Sequence, residues 1–537
     1  MSTSINHRSP VMGTLGMVAS SQPLATAAGL GILARGGNAV DAAVATAAAL
    51  NVTEPTSTGI GGDMFALYYD SVTGNVSALN GSGRSPAALT LGLLNDLGMK
   101  ELPPFHAHTV TVPGACAGWC DLLERFGSLD LATVLAPAIR LAEAGFPVAP
   151  TTAYFWGRAA EHQLKNALNG REMTIDGRGP NPGEIFRNPG LARTFKLIAK
   201  SGKDVFYRGE IGAAIVAVIQ QAGGTLAMDD LSAHISTWET PISTAYEGMR
   251  LWECPPNGQG LTALIALNIL DGFEIPPDPL SSDRLHLEIE ALRLAFADTR
   301  WYVADPAVVA VPVEALLSKE YAASRARLID PQVATIDQKQ GVPVAGSDTV
   351  YFCVVDAQGN ACSFINSNYM GFGTGIVPPG WGFTLQNRGH NFNLEPDHPN
   401  ALAPRKRPYH TIIPAMITRE ADGSLFGPFG VMGGFMQPQG HVQVFLALAQ
   451  GMDPQAALDL PRFCIADGTA GGVVALEEGI PPETVSALAE RGHHVRLVSG
   501  WERALFGRGQ VILRNPDTGV LTGGSDLRAD GCAMTLG

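Results

Sequence analysis

Apolar residues recur along the chain at two spacings. A repeat near 3.6 predicts amphipathic helices at Ala136 to Ala144, Leu191 to Lys200, Ile211 to Ala222, Leu261 to Leu270 and Leu285 to Ala304. The same repeat returns at Gly440 to Ala449 and Pro482 to Arg491. Pro23 to Leu50 predicts two more helices, joined at Gly36-Gly37-Asn38, whose small residues permit close packing. The stretch from 110 to 340 therefore reads as mainly helical.

Four other stretches read as β-hairpins. Met64 to Tyr69 turns at Asp70 to Gly74 and returns over Asn75 to Asn80. A β-rich run from Thr349 turns at Asp356-Ala357-Gln358-Gly359 and returns through Asn360 to Ser367. Ile413 to Thr418 turns at Ala421-Asp422-Gly423, and Gln510 to Arg514 turns at Pro516 to Gly519. Hairpins spread over both halves of the chain predict antiparallel sheets assembled from distant segments. Helices segregated around them predict an α+β layered body, not alternating βαβ units. The glycines in Thr58-Gly59-Ile60-Gly61-Gly62-Asp63 precede a strand, whereas a dinucleotide fingerprint follows one. Close backbone packing is the better reading of them.

Composition narrows the partners. The 537 residues are 46% apolar, enough for a sizeable core, and 62 glycines imply many tight turns. A net charge of −14 argues against nucleic acid, and the longest basic cluster is only Arg405-Lys406-Arg407. The first twenty residues lack a basic start followed by an apolar core, so no secretory signal is expected. Arg35 and Asp41 interrupt the Ala-rich run from Leu24 to Val52, so it cannot span a bilayer. Seven scattered cysteines without a Cys-x-x-Cys pair fit a reduced, cytoplasmic protein. His106-x-His108 has no neighbouring carboxylate or thiol to complete a metal site. It reads as a loop feature, and neither metal nor cofactor is expected.

Thr349 carries the candidate chemistry. A polar segment from Gln340 to Gly346 leads into it, and a hairpin starts on it. A threonine hydroxyl needs a base beside it to act as a nucleophile. If the chain is cut before Thr349, its new α-amine titrates near ~8 and can serve as that base.

Around Thr349 the sequence resembles the γ-glutamyltransferase family of N-terminal nucleophile hydrolases, nearly end to end. The motifs are Gly36 to Ala42, Gly59 to Asp63, Val112-Pro113-Gly114, Phe372 to Gly375, Lys406-Arg407-Pro408, Gly433-Gly434 and Gly524-Ser525-Asp526. The resemblance implies a four-layer αββα sandwich and self-cleavage between Asp348 and Thr349. Residues 1–348 and 349–537 would then form a large and a small piece that stay associated, leaving a homodimer open. It also implies Thr349 as nucleophile, Ser367 as the hydroxyl bonded to it, and Gly433 and Gly434 as the oxyanion hole. Val350 replaces a second threonine common in the family.

The substrate pocket departs from the transferase pattern. The family arginine that holds a glutamyl α-carboxylate aligns with Ser82, with Arg84 two residues on. The carboxylate-binding serine pair becomes His410-Thr411. The acid that pairs with the α-ammonium becomes Asn391, a nearby glutamine becomes Arg388, and the asparagine on the same ammonium becomes Tyr369. Losing that acid removes the ammonium's countercharge, while Arg388 favours an anion. A short segment between Phe392 and Lys406 implies a missing lid, so that water reaches the acyl-enzyme. The expectation is an amidohydrolase for a small acidic substrate, oxamate- or glutaryl-like, without an α-amino group. A γ-glutamyl hydrolase or transferase acting on glutathione is the alternative, and an uncleaved, inactive binding protein is the alternative of another class.

Overall fold

The computed structural model describes residues 8–335, 348–466, 468–469 and 471–537. The polar segment from Gln340 to Gly346 lies outside these residues.

Two seven-stranded antiparallel sheets form the centre. One runs in the order Cys532–Thr535, Gly16–Ser20, Asp348–Asp356, Ala361–Tyr369, Asp63–Tyr69, Val76–Gly81, Thr237–Glu239. The other runs Val11–Gly13, Leu521–Ser525, Arg508–Arg514, Leu425–Met432, Ala415–Arg419, Met249–Glu253, Ile242–Tyr246. Both sheets draw strands from both ends of the chain. Thr14 N also donates to Gly537 O at 2.8 Å.

The layering follows from the period-2 alternation of strand side chains. Tyr351, Cys353 and Val355 join Phe65, Leu67, Ile365, Met416 and Ile512 in the core between the sheets. Val350, Phe352 and Val354 belong instead to the cluster with helices Pro23–Leu33, Ala39–Thr53 and Ala115–Phe126. The second sheet's outer face, with Leu251, Ile417, Phe429 and Val431, packs on Gly260–Leu270, Ser282–Tyr302 and Met436–Ala449. Helix, sheet, sheet and helix make four layers, as expected. Thr349 and Ser367 share the parity of the residues that face the neighbouring sheet.

The seven periodic helices occur close to their expected bounds; that from Leu191 spans Pro189–Ser201. Correction is needed within 110–340. Thr237–Glu239, Ile242–Tyr246 and Met249–Glu253 are strands that complete one edge of each sheet. His106 and His108 sit at a 3-10 turn, where His106 Nδ1 accepts from His108 N at 3.1 Å. Among the described residues, no group of three or more His, Cys, Asp or Glu is placed to hold a metal. None of the described helices is long and apolar enough to cross a membrane.

Candidate active site

The strand pair that carries Thr349 has one irregularity. Val350 pairs with Asn366, but Asp348 pairs with Tyr369, so the partner strand holds an extra residue beside Thr349. Such a bulge breaks the ladder locally and re-aims side chains. Here it turns Tyr369 into the left-handed region, at φ +82°. Tyr369 N then folds back to donate to Ser367 Oγ at 2.8 Å. Thr349 Oγ1 and Ser367 Oγ lie 3.0 Å apart, and both residues are fully buried. The glycine motif packs directly behind the bulge. A Cβ on Gly62 would fall 2.2 Å from Ser367 O, so close approach explains that glycine.

Arg388 enters from a 3-10 turn, Arg388–Asn391, and is also fully buried. Its Nη2 donates to Ser367 Oγ at 3.2 Å and its Nη1 to Thr411 Oγ1 at 2.7 Å. The guanidinium lies over the Tyr369 ring, 4.3 Å from the centroid. Its Nε has no protein partner among the described residues. Burial pulls Arg388 down to about 10, with Asp63 and Tyr369 opposing, so it remains a cation at neutral pH. Tyr369 OH donates to Asn391 Oδ1 at 2.6 Å, and Asn391 Nδ2 donates to Tyr409 O at 3.1 Å. These two residues therefore spend polar atoms on each other and on the fold.

Asp63 is a participant that the sequence reading did not single out. Its Oδ1 accepts from Gly83 N at 3.0 Å, Gly114 N at 3.1 Å and Gln386 Nε2 at 3.0 Å. Its Oδ2 lies 3.1 Å from His410 Nε2. Burial raises Asp63 to about 6, with Arg388 and these donors opposing. Burial, reinforced by Arg388 and Arg407, holds His410 well below its ordinary value, so it is neutral. A neutral ring that donates from Nε2 keeps the Asp63 carboxylate ionised at pH 7. The legible signal was a single acid closing a glycine motif at the head of an apolar strand.

Gly433 and Gly434 form the turn between Leu425–Met432 and Met436–Ala449, at φ +135° and +60°. Their carbonyls start the helix, accepting from Met436 N and Gln437 N. Among the described residues, neither glycine amide has a protein acceptor. Gln259, also missed by sequence reasoning, donates through Nε2 to Gly434 O at 2.8 Å and Thr411 O at 2.7 Å. It ties the glycine turn to the segment that holds Arg388.

Arg84 is not brought into this cluster. It is half-buried, and its charge acts on Arg407 and His234 instead. Nor does a surface groove of about 740 Å³ beside Tyr154 and Trp501 include any of these residues. The segment after Phe392 is tied down, since Lys406 Nζ donates to Pro399 O at 2.6 Å and Ala401 O at 2.9 Å.

The family model for gamma-glutamyltranspeptidase matches residues 25–536. The chain belongs to the gamma-glutamyltranspeptidase family. Family members similar to it include a glutathione hydrolase-like YwrD proenzyme of Bacillus subtilis, 37% identical over 98% of this chain and 99% of that one. An oxamate amidohydrolase proenzyme of Klebsiella pneumoniae is 34% identical, over 97% of this chain and 98% of that one. Among solved structures, a cephalosporin acylase from Bacillus halodurans superposes with a TM-score of 0.92. It is 47% identical and covers 100% of this chain and 98% of that one. The four layers are thus those of the N-terminal nucleophile hydrolase fold, and the protein is an enzyme, a hydrolase of amide bonds.

Proposed function

We propose that the protein is a self-processing amidohydrolase for a short acidic acyl group that lacks an α-ammonium. Cleavage between Asp348 and Thr349 gives pieces 1–348 and 349–537, with Thr349 at a new terminus. The Thr349 hydroxyl attacks the substrate's amide carbonyl, and its α-amine takes the hydroxyl proton. The Gly433 and Gly434 amides receive the oxyanion, an interaction worth roughly 3–4 kcal/mol per donor. The proton returns to the leaving amine as the amide C–N bond breaks. Water then attacks the acyl ester, releases the acid and restores Thr349. The tied-down segment before Lys406 supports hydrolysis over transfer.

The single observation that carries the substrate class is Arg388 with its unpartnered Nε. That edge of the guanidinium suits a carboxylate fork. Because Ser367 alone separates Arg388 from Thr349, the charge sits within about 6 Å of the nucleophile. A carbonyl about 3 Å from Thr349 Oγ1 leaves room for a short acyl chain between them. Asp63, the carboxylate nearest Arg388 in its electrostatics, already serves four donors and is poorly suited to an α-ammonium. Arg84 remains as a cation for the rim.

The test compares kcat/KM for oxamate, a glutaryl amide and a γ-glutamyl anilide on processed enzyme. The two acids without an ammonium should be favoured, by about 100-fold or more for the better one. A γ-glutamyl compound turned over best would overturn the substrate class. It would favour a glutathione-type activity instead.

A further inference from the structure

One buried side-chain amide spans two parts of the site. Gln259 follows the loop Pro255-Pro256-Asn257-Gly258, precedes helix Gly260–Leu270 and is fully buried. Its Nε2 donates to Thr411 O at 2.7 Å and to Gly434 O at 2.8 Å, while its Oε1 accepts from Tyr409 OH at 3.0 Å. The reverse orientation would set Oε1 against two carbonyl oxygens, so only this one satisfies the amide. The side chain is also rooted beside the segment that it holds. Gln259 N donates to His410 O at 3.0 Å, and His410 N donates to Asn257 O at 2.9 Å.

The glycine turn needs such a tie, because two glycines in succession restrain their backbone least. Gly433 O accepts from Met436 N at 3.0 Å, and Gly434 O accepts from Gln437 N at 3.2 Å. Both donors belong to the helix that the turn begins, so these bonds travel with that helix. Gln259 binds Gly434 O from a separate segment. Gln437 laces the same two regions one turn into the helix, where its Oε1 accepts from Ile413 N at 2.9 Å.

We infer that Gln259 is a positioning residue for the oxyanion hole. Holding Gly434 O sets the rotation of the backbone at Gly434, and with it the direction of the turn's amides. Holding Thr411 O fixes that turn relative to Thr411, whose Oγ1 accepts from Arg388 Nη1 at 2.7 Å. One side chain thus sets the spacing between the oxyanion donors and the cation assigned to the substrate's acid. Direction matters because a hydrogen bond weakens steeply off line, and the oxyanion exists only in the transition state and intermediate. Loss of the tie therefore falls on kcat and leaves KM nearly unchanged. This role presupposes the Gly434 amide as an oxyanion donor, as proposed above.

The experiment measures kcat and KM per mole of two-piece enzyme, on whichever of oxamate, a glutaryl amide and a γ-glutamyl anilide is turned over fastest. It uses wild type, Gln259→Met, Tyr409→Phe, Gly434→Ala and the double variant Gln259→Met with Gly434→Ala. Gln259→Met should lower kcat at least about tenfold, with KM within about threefold of wild type. In the Gly434→Ala background the same change should cost less than about threefold, because the two residues act on one interaction. Tyr409→Phe, which releases Oε1 alone, should lower kcat about threefold at unchanged KM. Wild-type kcat in Gln259→Met, or losses that multiply in the double variant, would overturn the inference and leave Gln259 as part of the fold. Should Gln259→Met remain a single chain, Tyr409→Phe decides, and wild-type kcat there would overturn it. Wild-type kcat in Gly434→Ala would instead remove the oxyanion reading beneath it.

Discussion

Two of the protein's clusters of buried charge are built to opposite ends. Around Asp526, every N–H of Arg528 is used. It donates to both Glu477 oxygens, to Asp526 Oδ1 and to the carbonyls of Leu458 and Leu460. Arg462 Nη2 adds a further bond to Asp526 at 2.8 Å. Burial alone would raise Asp526, but Arg462 and Arg528, with amides of Arg528 and Gly509, outweigh it and hold it at about 2. Glu477 is likewise lowered against its burial, chiefly by Arg528. Around Arg388 the balance is reversed. Burial outweighs the partners, raising Asp63 to about 6 and pulling Arg388 down to about 10. Arg388 makes two side-chain bonds and leaves Nε open. The Asp526 network spends its charges on the fold, although Arg462 Nε there is likewise without a partner among the described residues, whereas the Arg388 cluster keeps some for a ligand or a transition state.

The largest effect should come from removing Thr349, the proposed nucleophile. Thr349→Ala should lose activity by about 10³-fold or more and remain a single chain, with both clusters and the melting temperature little changed. Hydrolysis assays and denaturing gels check it. Next, Arg528→Met should cost about 3–5 kcal/mol of stability in denaturant titrations, because it strands two buried carboxylates. Arg388→Met should cost clearly less while losing more activity. Equal losses of stability would erase the contrast between the clusters. Gly434→Ala should lower kcat about 100-fold, with KM little changed, by tilting one amide out of the oxyanion position.

The smallest effect is also the most discriminating, because two aspartates should respond to pH with opposite sign. Asp63 has a raised value, so its contribution to stability is full below about 4 and is lost as pH rises through 6. The melting temperature of wild type relative to Asp63→Asn should therefore fall between pH 4 and 7, by at most about 3 kcal/mol equivalent. Asp526 has a lowered value, so its contribution is full above about 4 and is lost as pH falls through 2. Wild type relative to Asp526→Asn should lose its advantage on acidification. Parallel profiles for the two variants would refute the distinction.

The layered body was legible because its signals are local. Helical repeats such as that at Pro189–Ser201, and turns such as Asp356 to Gly359, declare themselves within a few residues. The strands at 237–253 were not read. They are three to five residues long, only partly buried, and lie within a helical stretch. Thr349, Ser367 and the glycine pair came from motif order. Their meeting is geometric, set by a bulge that no spacing reveals. The resemblance placed Arg388 in the pocket, but its run Gln386-Asn387-Arg388-Gly389-His390-Asn391 is polar and gives no sign of burial. Its burial depends on Thr411 and Tyr369 folding around it. Asp63 escaped notice for a related reason, since its four donors come from four separate segments.

The strand that starts at Asp348 is flanked on one side by Gly16–Ser20 and on the other by Ala361–Tyr369. A cut before Thr349 would free one bond's end but not the strand, which Ala361–Tyr369 grips from Val350 onward and Gly16–Ser20 from Cys353 onward. The severed pieces can part only by tearing both sheets, so separation and unfolding become one event. With the sheets holding the pieces together, the proposed scission would act as a one-way latch.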